Sequence, residues 1–147
     1  MIYKIADEKK MIEFGKTLAM DLKGGDVVLL YGDLGAGKTT LTKGIALGLG
    51  IANNIVSPTF TLMQVYDVRN TKTTKLRKLV HIDTYRLEDE KQLYEIGVQD
   101  YIGDPETVCV IEWAEKIKTL LEGKNIIKIK IQHEDNNERT VLLSFRA

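Results

Sequence analysis

The residues best suited to chemistry form a glycine-rich segment, GDLGAGKT, at positions 32–39. It matches the pattern of a glycine, four residues and then Gly-Lys-Ser/Thr, which binds nucleotide phosphates when it lies between a strand and a helix. Its glycines permit positive φ, so successive N–H groups can point at phosphate oxygens. Lys38 supplies a positive charge, Thr39 a hydroxyl ligand for Mg²⁺ and Thr40 a donor for an inner phosphate. We call residues 32–39 the glycine loop and predict that it binds a nucleoside triphosphate.

Two acids follow apolar runs in a way that suits a metal site. The run VCVI leads into Glu112, and a mostly apolar run leads into Asp83 within LVHIDTYRL. Mg²⁺ bound to a phosphate and a threonine hydroxyl needs a protein carboxylate as well, directly or through water. Both acids satisfy this description, so at least one of them is expected to serve the metal. His81 is predicted to be a packed or hydrogen-bonded strand residue, because no second histidine has ligand spacing.

The segments around the glycine loop predict the elements that position it. Residues 8–22 place apolar side chains at helical spacing, with Asp7 as a plausible N-cap. Residues 26–32 are a short apolar run typical of a buried strand, and a helix is predicted over residues 38–50. Strand, glycine loop and helix therefore follow one another as a phosphate-binding site requires.

The second half of the chain predicts further strands and short helices. They are strands within residues 57–68 and 75–87 joined as a hairpin, a helix at about 87–96, a strand over 107–113, a helix near 114–122, and a two-stranded ribbon over 125–147. In that ribbon isoleucines alternate with lysines, which predicts one wet face. The fold class is therefore expected to be α/β, a P-loop NTPase with three α/β/α layers, a mixed sheet and a C-terminal β-ribbon. No linker divides residues 1–147, so a single domain is expected.

Composition narrows the classes of partner. The chain has 147 residues, of which 44% are hydrophobic, enough for a packed core without disulfides. Lys plus Arg and Asp plus Glu number 21 each, which argues against nucleic-acid binding through bulk positive charge. No apolar stretch approaches the roughly 20 residues that span a membrane, and no signal peptide is recognisable, so a cytoplasmic protein is expected. The single cysteine, Cys109, is predicted to be a small core residue.

Three kinds of nucleotide protein fit these features. Guanine is usually read by an Asn/Thr-Lys-x-Asp motif, and the chain has no such run, so ATP is favoured by elimination. A small-molecule kinase shares the phosphate-binding loop but usually clamps the transferred phosphate with several arginines. This chain has five arginines, and no pair is spaced as a lid after Glu112. The alternatives are an ATPase, a small-molecule P-loop kinase, and a nucleotide-binding adaptor whose hydrolysis is incidental.

Five motifs along the chain favour the ATPase alternative. GDLGAGKTT, SPTFTL, HIDTYRL, EIGVQDY and VIEWAEK occur in this order, and together they resemble the bacterial TsaE family, formerly called YjeE, over about residues 5–122. The resemblance implies a P-loop ATPase that supports threonylcarbamoyladenosine formation beside the anticodon of tRNAs reading codons that begin with A. It implies ATP and Mg²⁺ as cofactors and slow, partner-dependent hydrolysis. The implied partner is a TsaB–TsaD-like complex, with tRNA contacted only indirectly.

The resemblance also implies roles for individual residues. The implied ATP-binding residues are Gly35, Ala36, Gly37, Lys38, Thr39 and Thr40, and the implied catalytic residues are Lys38, Asp83 and Glu112. Thr39 and Glu112 would hold the metal, while Asp83 would orient water or a metal-bound water. Family members commonly carry Ser or Thr near the start of the first helix, close to the nucleotide, and Met11 occupies that place here.

Four further residues are candidates for a switch or for partner contact. Thr59 follows a proline, and we predict that it senses the terminal phosphate and the metal. Strand alternation predicts that Trp113 points to the opposite side from Glu112, as a partner-facing, nucleotide-near or core aromatic. Tyr85 and Arg86 are expected to hold the segment around Asp83 or to meet a partner, and Arg86 also to contact phosphate.

Overall fold

The described part of the chain is organised around a mixed β-sheet of seven strands. The computed structural model describes residues 1–33, 35–51, 54–58, 61–68 and 75–145. The strands are β1 (Ile2–Ile5), β2 (Asp26–Tyr31), β3 (Met63–Asp67), β4 (Lys78–Asp83), β5 (Thr107–Glu112), β6 (Asn125–His133) and β7 (Arg139–Phe145). The helices are α1 (Glu8–Asp21), α2 (Lys38–Gly48) and α3 (Lys91–Glu95). The spatial order of the strands is β1-β7-β6-β2-β5-β4-β3.

Four parallel strands form the centre of the sheet. β2 pairs in parallel with β6 on one side and β5 on the other, and β5 pairs in parallel with β4. The two predicted hairpins are confirmed, since β3 pairs antiparallel with β4 and β7 antiparallel with β6. The C-terminal ribbon is part of the main sheet, because β6 pairs along β2 from Asp26 to Tyr31. Its wet face is confirmed as well, with Lys128 and Lys130 exposed.

The two faces of the sheet are covered differently. On one face, α1 and α2 pack through residues such as Leu18, Leu41 and Ile45 against the central strands. On the other face the cover consists of α3, 3₁₀ turns and loops, with Leu93, Ile117 and other apolar side chains over the strands. The expected three layers are thus present, but the second outer layer contains little regular helix. None of the helices in the described ranges has the length and apolarity needed to cross a bilayer.

The structure differs from the predicted elements in several places. The helix expected near 114–122 is replaced by two 3₁₀ turns, Ala114–Lys116 and Thr119–Leu121. Its buried residues Ala114, Ile117 and Leu120 recur every three positions, which fits the 3₁₀ period rather than the α period. The helix expected at 87–96 shortens to α3, and β1 was not predicted because its partner β7 is remote in sequence.

Strand β5 lies in the interior, and all six of its residues are buried. Cys109 sits in the middle of this strand and is fully buried, as the sequence predicts. Burial raises the pKa of the Cys109 thiol from its usual 9.0 to about 12. The thiol is therefore neutral at physiological pH and acts as a small apolar core group rather than a nucleophile.

Helix α2 is held in place by unusually close contact with α1. A Cβ built on Gly15 would lie 2.6 Å from the carbonyl oxygen of Leu41, and one built on Gly44 would lie 2.4 Å from that of Ile12. Only glycine allows the two backbones to approach this closely. Because α2 starts at Lys38, which belongs to the glycine loop, this helix contact also fixes where the loop ends.

The Gly44→Ala variant tests this packing. At an open helical position the change stabilises by up to about 1 kcal/mol. Here the added methyl group forces α1 away from α2, so we expect the free energy of unfolding to fall by about 1–3 kcal/mol. Urea denaturation would measure it, with Leu47→Ala as the control on the same helix, because Leu47 is 51% exposed. A Gly44→Ala protein as stable as the wild type would contradict the close packing.

Candidate functional site

The glycine loop has the backbone geometry that its sequence predicts. Gly35 and Gly37 have φ values of 79° and 117°, in the left-handed region that favours glycine. Gly37 is the N-cap of α2, and its carbonyl accepts the first helical hydrogen bond, 2.9 Å from the Leu41 nitrogen. The first N–H groups of α2 are thus directed toward the space beside the loop. The Met11 methyl group would lie 3.3 Å from a Cβ at Gly37, so α1 packs against the loop here.

Three parallel strands end beside this loop. In the sheet register Leu30 of β2 lies opposite Glu112 of β5, and Glu112 lies opposite Asp83 of β4. The two acids are therefore neighbours at the edge of the sheet where β2 enters the glycine loop. A cavity of about 380 Å³ forms at this edge, lined by Gly35, Gly37, Lys38, Thr39, Thr40, Ser57, Asp83, Tyr85, Glu112 and Trp113. The structure thus brings together most of the residues that the sequence selects.

Lys38 lies inside this cavity although its side chain is only 5% exposed. Its Nζ donates to the carbonyl oxygen of Gly32 at 2.5 Å and lies 3.8 Å from the centroid of the Trp113 ring, a cation–π contact. Burial lowers the pKa of Lys38 below its usual 10.5, and the nearby carboxylates, Glu112 first and Asp83 next, oppose that shift. The ammonium group is thus held close to both acids in a poorly hydrated place.

Glu112 is held by a histidine from the neighbouring strand. The Nε2 atom of His81 lies 2.6 Å from Oε2 of Glu112, and the two side chains are 0% and 4% exposed. His81 Nδ1 has no hydrogen-bond partner among the described residues. The proton is best placed on Nε2, because a proton on Nδ1 would be a buried donor without an acceptor. His81 is therefore a hydrogen-bonded strand residue, as predicted, and it orients the Glu112 carboxylate.

Asp83 has a different environment, although it is equally buried. Its Oδ2 accepts from the Ser57 hydroxyl at 2.8 Å, and its Oδ1 accepts from the backbone N–H of Tyr85 at 2.9 Å. The sequence pattern selects Thr59 within SPTF and gives no signal for Ser57, which is a site residue. Thr59 itself lies outside the described residues. Asp83 thus has a donor on each oxygen and connects β4 with the segment that follows α2.

Trp113 lies on the same side as Glu112, and the prediction that it points to the opposite side was wrong. Strand β5 ends at Glu112, and Trp113 adopts a left-handed backbone conformation with φ of 63°. That turn breaks the alternation of side chains and places the indole in the cavity, over Lys38. The Thr84 hydroxyl stabilises the turn by donating to the carbonyl oxygens of Glu112 and Trp113.

Comparison with known proteins identifies the family. The protein-family model described as "Threonylcarbamoyl adenosine biosynthesis protein TsaE" matches residues 5–141. The chain belongs to the TsaE family. It is 36% identical to the tRNA threonylcarbamoyladenosine biosynthesis protein TsaE of Haemophilus influenzae over 145 residues, covering 95% of this chain and 87% of that protein. It is 40% identical to the TsaE of Bacillus subtilis over 135 residues, covering 92% of this chain and 78% of that protein.

A solved structure supports the same assignment at the level of the fold. The crystal structure of Bacillus subtilis YdiB superposes with a TM-score of 0.79 at 32% sequence identity, covering 100% of this chain and 86% of that one. The resemblance that the motifs indicate is therefore confirmed, and the α/β fold with its mixed sheet is shared with a solved structure.

Tyr85 and Arg86, the two candidate residues that follow β4, are placed differently. Tyr85 lines the cavity, and its ring centroid lies 5.0 Å from that of Trp113. The Lys116 Nζ donates to the Tyr85 carbonyl at 2.6 Å, an anchor that the sequence reading missed. Arg86 is exposed, and it is not among the described residues that line the cavity. The structure therefore brings Tyr85, but not Arg86, to the site.

A second cavity adjoins the glycine loop on the side of α1. It has a volume of about 370 Å³ and is lined by Ala6, Asp7, Glu8, Met11, Gly35, Ala36, Gly37, Thr40, Asn137 and Arg139. Ala36, assigned to phosphate binding, lines this cavity rather than the first one. Arg139 is a loop contact that the sequence reading missed, and no local pattern signals it, because it is remote from the loop in sequence.

A double-mutant cycle tests the contact between His81 and Glu112. Each single change to leucine leaves a buried polar group without its partner, whereas the double change removes both groups. We therefore expect a coupling free energy of about 1–3 kcal/mol in urea denaturation without nucleotide. The same cycle with Glu115 in place of Glu112 serves as the control and should be additive. Additive single effects for His81 and Glu112 would show that the buried contact contributes no stability.

Proposed function

We propose that this protein binds and hydrolyses ATP with Mg²⁺ and so supports threonylcarbamoyladenosine formation in tRNA. One observation carries the proposal. The N-terminus of α2, the buried ammonium of Lys38 and the carboxylates of Asp83 and Glu112 converge on one cavity at the carboxyl ends of parallel strands. Ligands of open α/β sheets bind at that edge, and a helix N-terminus with a lysine suits phosphate. Membership of the TsaE family connects this chemistry with the tRNA modification.

Lys38 has partners that a phosphate group can replace. A carbonyl oxygen and an indole face hold its ammonium group, and both are neutral. An anionic phosphate is a stronger partner, particularly in a poorly hydrated cavity. The N–H groups at the start of α2 add donors on the same side. In this proposal the residues of the glycine loop bind the phosphates, with Lys38 at the terminal ones.

The oxygen ligands offered here fit Mg²⁺. Thr39 and Glu112 line the same cavity, and hydroxyl and carboxylate oxygens are the ligands that this hard cation prefers. His81 holds only Oε2 of Glu112; within the described part of the chain Oε1 accepts no hydrogen bond. That oxygen is therefore open toward a cation. When bound, Mg²⁺ neutralises charge on the phosphate oxygens, while Thr39 and Glu112 fix its position.

Asp83 suits the orientation of water rather than direct metal binding. Donors from Ser57 and Tyr85 already occupy both of its oxygens. The carboxylate is thereby fixed next to Glu112. We assign to Asp83 the positioning of the attacking water or of a metal-bound water. Tyr85 and Trp113, which line the cavity, are the proposed contacts for a TsaB–TsaD-like partner complex.

Carboxamide variants separate the roles of the two acids. We expect Mg²⁺ to strengthen ATP binding by the wild-type protein about tenfold or more. Glu112→Gln should lose this gain, because it replaces a charged ligand by a neutral one. Asp83→Asn should retain that strengthening and lose hydrolysis. Titration calorimetry of ATP with Mg²⁺ and with a chelator measures the difference, and Glu115→Gln is the matched control. Loss of the Mg²⁺ effect in Asp83→Asn alone would mean that the two roles are reversed.

Reconstitution of tRNA modification tests the function as a whole. With the TsaB–TsaD complex and its substrates, we expect sustained turnover only when this protein and ATP are present. Lys38→Ala should abolish that support, because it removes the phosphate-binding charge. Phosphate release should need no small-molecule acceptor. Full multiple-turnover modification without this protein would refute the proposal, and acceptor-dependent phosphate transfer would favour a kinase instead.

A further inference from the structure

Arg139 contacts the glycine loop from the other end of the chain. Its Nε donates to the carbonyl oxygen of Ala36 at 2.9 Å, and its Nη2 donates to that of Gly35 at 3.4 Å. Its Nη1 donates to the carbonyl oxygens of Asn137 and Glu138 at 2.8 and 3.3 Å. All three guanidinium nitrogens therefore bond to backbone carbonyls, and the side chain links two segments more than 100 residues apart.

The backbone of Arg139 is itself firmly placed. It is the first residue of β7, and it pairs with His133 of β6 on one side and with Ile5 of β1 on the other. The preceding turn contains two left-handed asparagines, Asn136 and Asn137. The ribbon also contacts the first residue of the glycine loop, since a Cβ on Gly32 would lie 2.8 Å from the carbonyl oxygen of Ile131. The C-terminal ribbon therefore contacts the loop at two separate places.

Holding a carbonyl also fixes the N–H group of the same peptide. The peptide bond is planar and trans, so the carbonyl of Ala36 and the N–H of Gly37 point in opposite directions. With the carbonyl directed at Arg139, the N–H of Gly37 is turned away from the guanidinium group. Gly37 also lines the cavity that contains Lys38 and Thr39. A freely turning peptide would lose this orientation, because glycine at 37 permits many backbone conformations.

We propose that Arg139 is a positioning residue, which holds the peptide between Ala36 and Gly37 so that its N–H group faces the bound phosphate. This inference rests on the nucleotide binding proposed above. Arg139 acts through the loop and is not assigned to a terminal phosphate, because each of its three nitrogens already donates to a backbone carbonyl. Its effect is therefore the same for a nucleoside diphosphate and a triphosphate.

Nucleotide titration of Arg139 variants tests this role. We expect Arg139→Met to weaken binding of ADP and of ATP by the same factor, about tenfold, because the loop must order when the ligand binds. Arg139→Lys should bind both nucleotides nearly as weakly as Arg139→Met, since a single ammonium group cannot hold the carbonyls of both Gly35 and Ala36. Arg77→Met is the matched control, because Arg77 is exposed just before β4, at the opposite end of that strand from Asp83.

Backbone amide exchange of the nucleotide-free protein provides an independent readout. The N–H group of Ala36 donates to the carbonyl oxygen of Asp33 at 3.0 Å, so its exchange reports how firmly the loop is held. We expect faster exchange at Ala36 in Arg139→Met and in Arg139→Lys, while the exchange rates in the central strands stay unchanged. Unchanged exchange and wild-type affinity in Arg139→Met would overturn the inference, as would a loss confined to ATP, which indicates direct contact with the terminal phosphate. If the wild-type protein binds neither nucleotide, the proposed function fails, while the exchange at Ala36 still decides whether Arg139 positions the loop.

Discussion

The parallel pairing of β2, β5 and β4 is the constraint on which the site depends. Parallel strands end at the same edge of a sheet, and the register here places Leu30, Glu112 and Asp83 side by side. The glycine loop leaves the sheet at that edge, and its last two residues, Lys38 and Thr39, begin α2. A shift of one residue in either pairing would turn an acid to the other face of the sheet. The buried apolar residues of β4 and β5 thus fix the register, and the register fixes where the two acids lie.

The same edge concentrates charge where water is scarce. Lys38, Asp83 and Glu112 are each at most 5% exposed, and buried charges are tolerated only when they are paired and hydrogen-bonded. The hydrogen-bonding groups around them serve that need, including the Ser57 hydroxyl, the His81 ring and the Tyr85 N–H. Such a network is stable as a whole and sensitive to the loss of one member. Stability and the proposed catalysis therefore depend on the same few side chains.

Local patterns predict part of this structure well, and non-local contacts explain the failures. Three features could be predicted because each depends on residues close in sequence: the glycine loop, the N-cap at Asp7 and the hairpin of β6 and β7. The direction of the Trp113 side chain could not be predicted from strand alternation, because Trp113 itself adopts a left-handed backbone conformation where the strand ends. The contact between His81 and Glu112 joins two strands, and β1 pairs with the far end of the chain. These features follow from the topology rather than from any single segment.

The two acids are adjacent, buried and alike in sequence context, so only their surroundings can separate the roles proposed for them. Asp83 accepts a hydrogen bond on each oxygen from groups of the protein. Glu112 accepts on one oxygen from a ring that is itself fixed in a strand. A carboxylate with one oxygen held and the other open is preorganised for a cation, because the held oxygen fixes the direction of the open one. The histidine in HIDTYRL, rather than the apolar run before either acid, is therefore the residue that distinguishes Glu112 from Asp83.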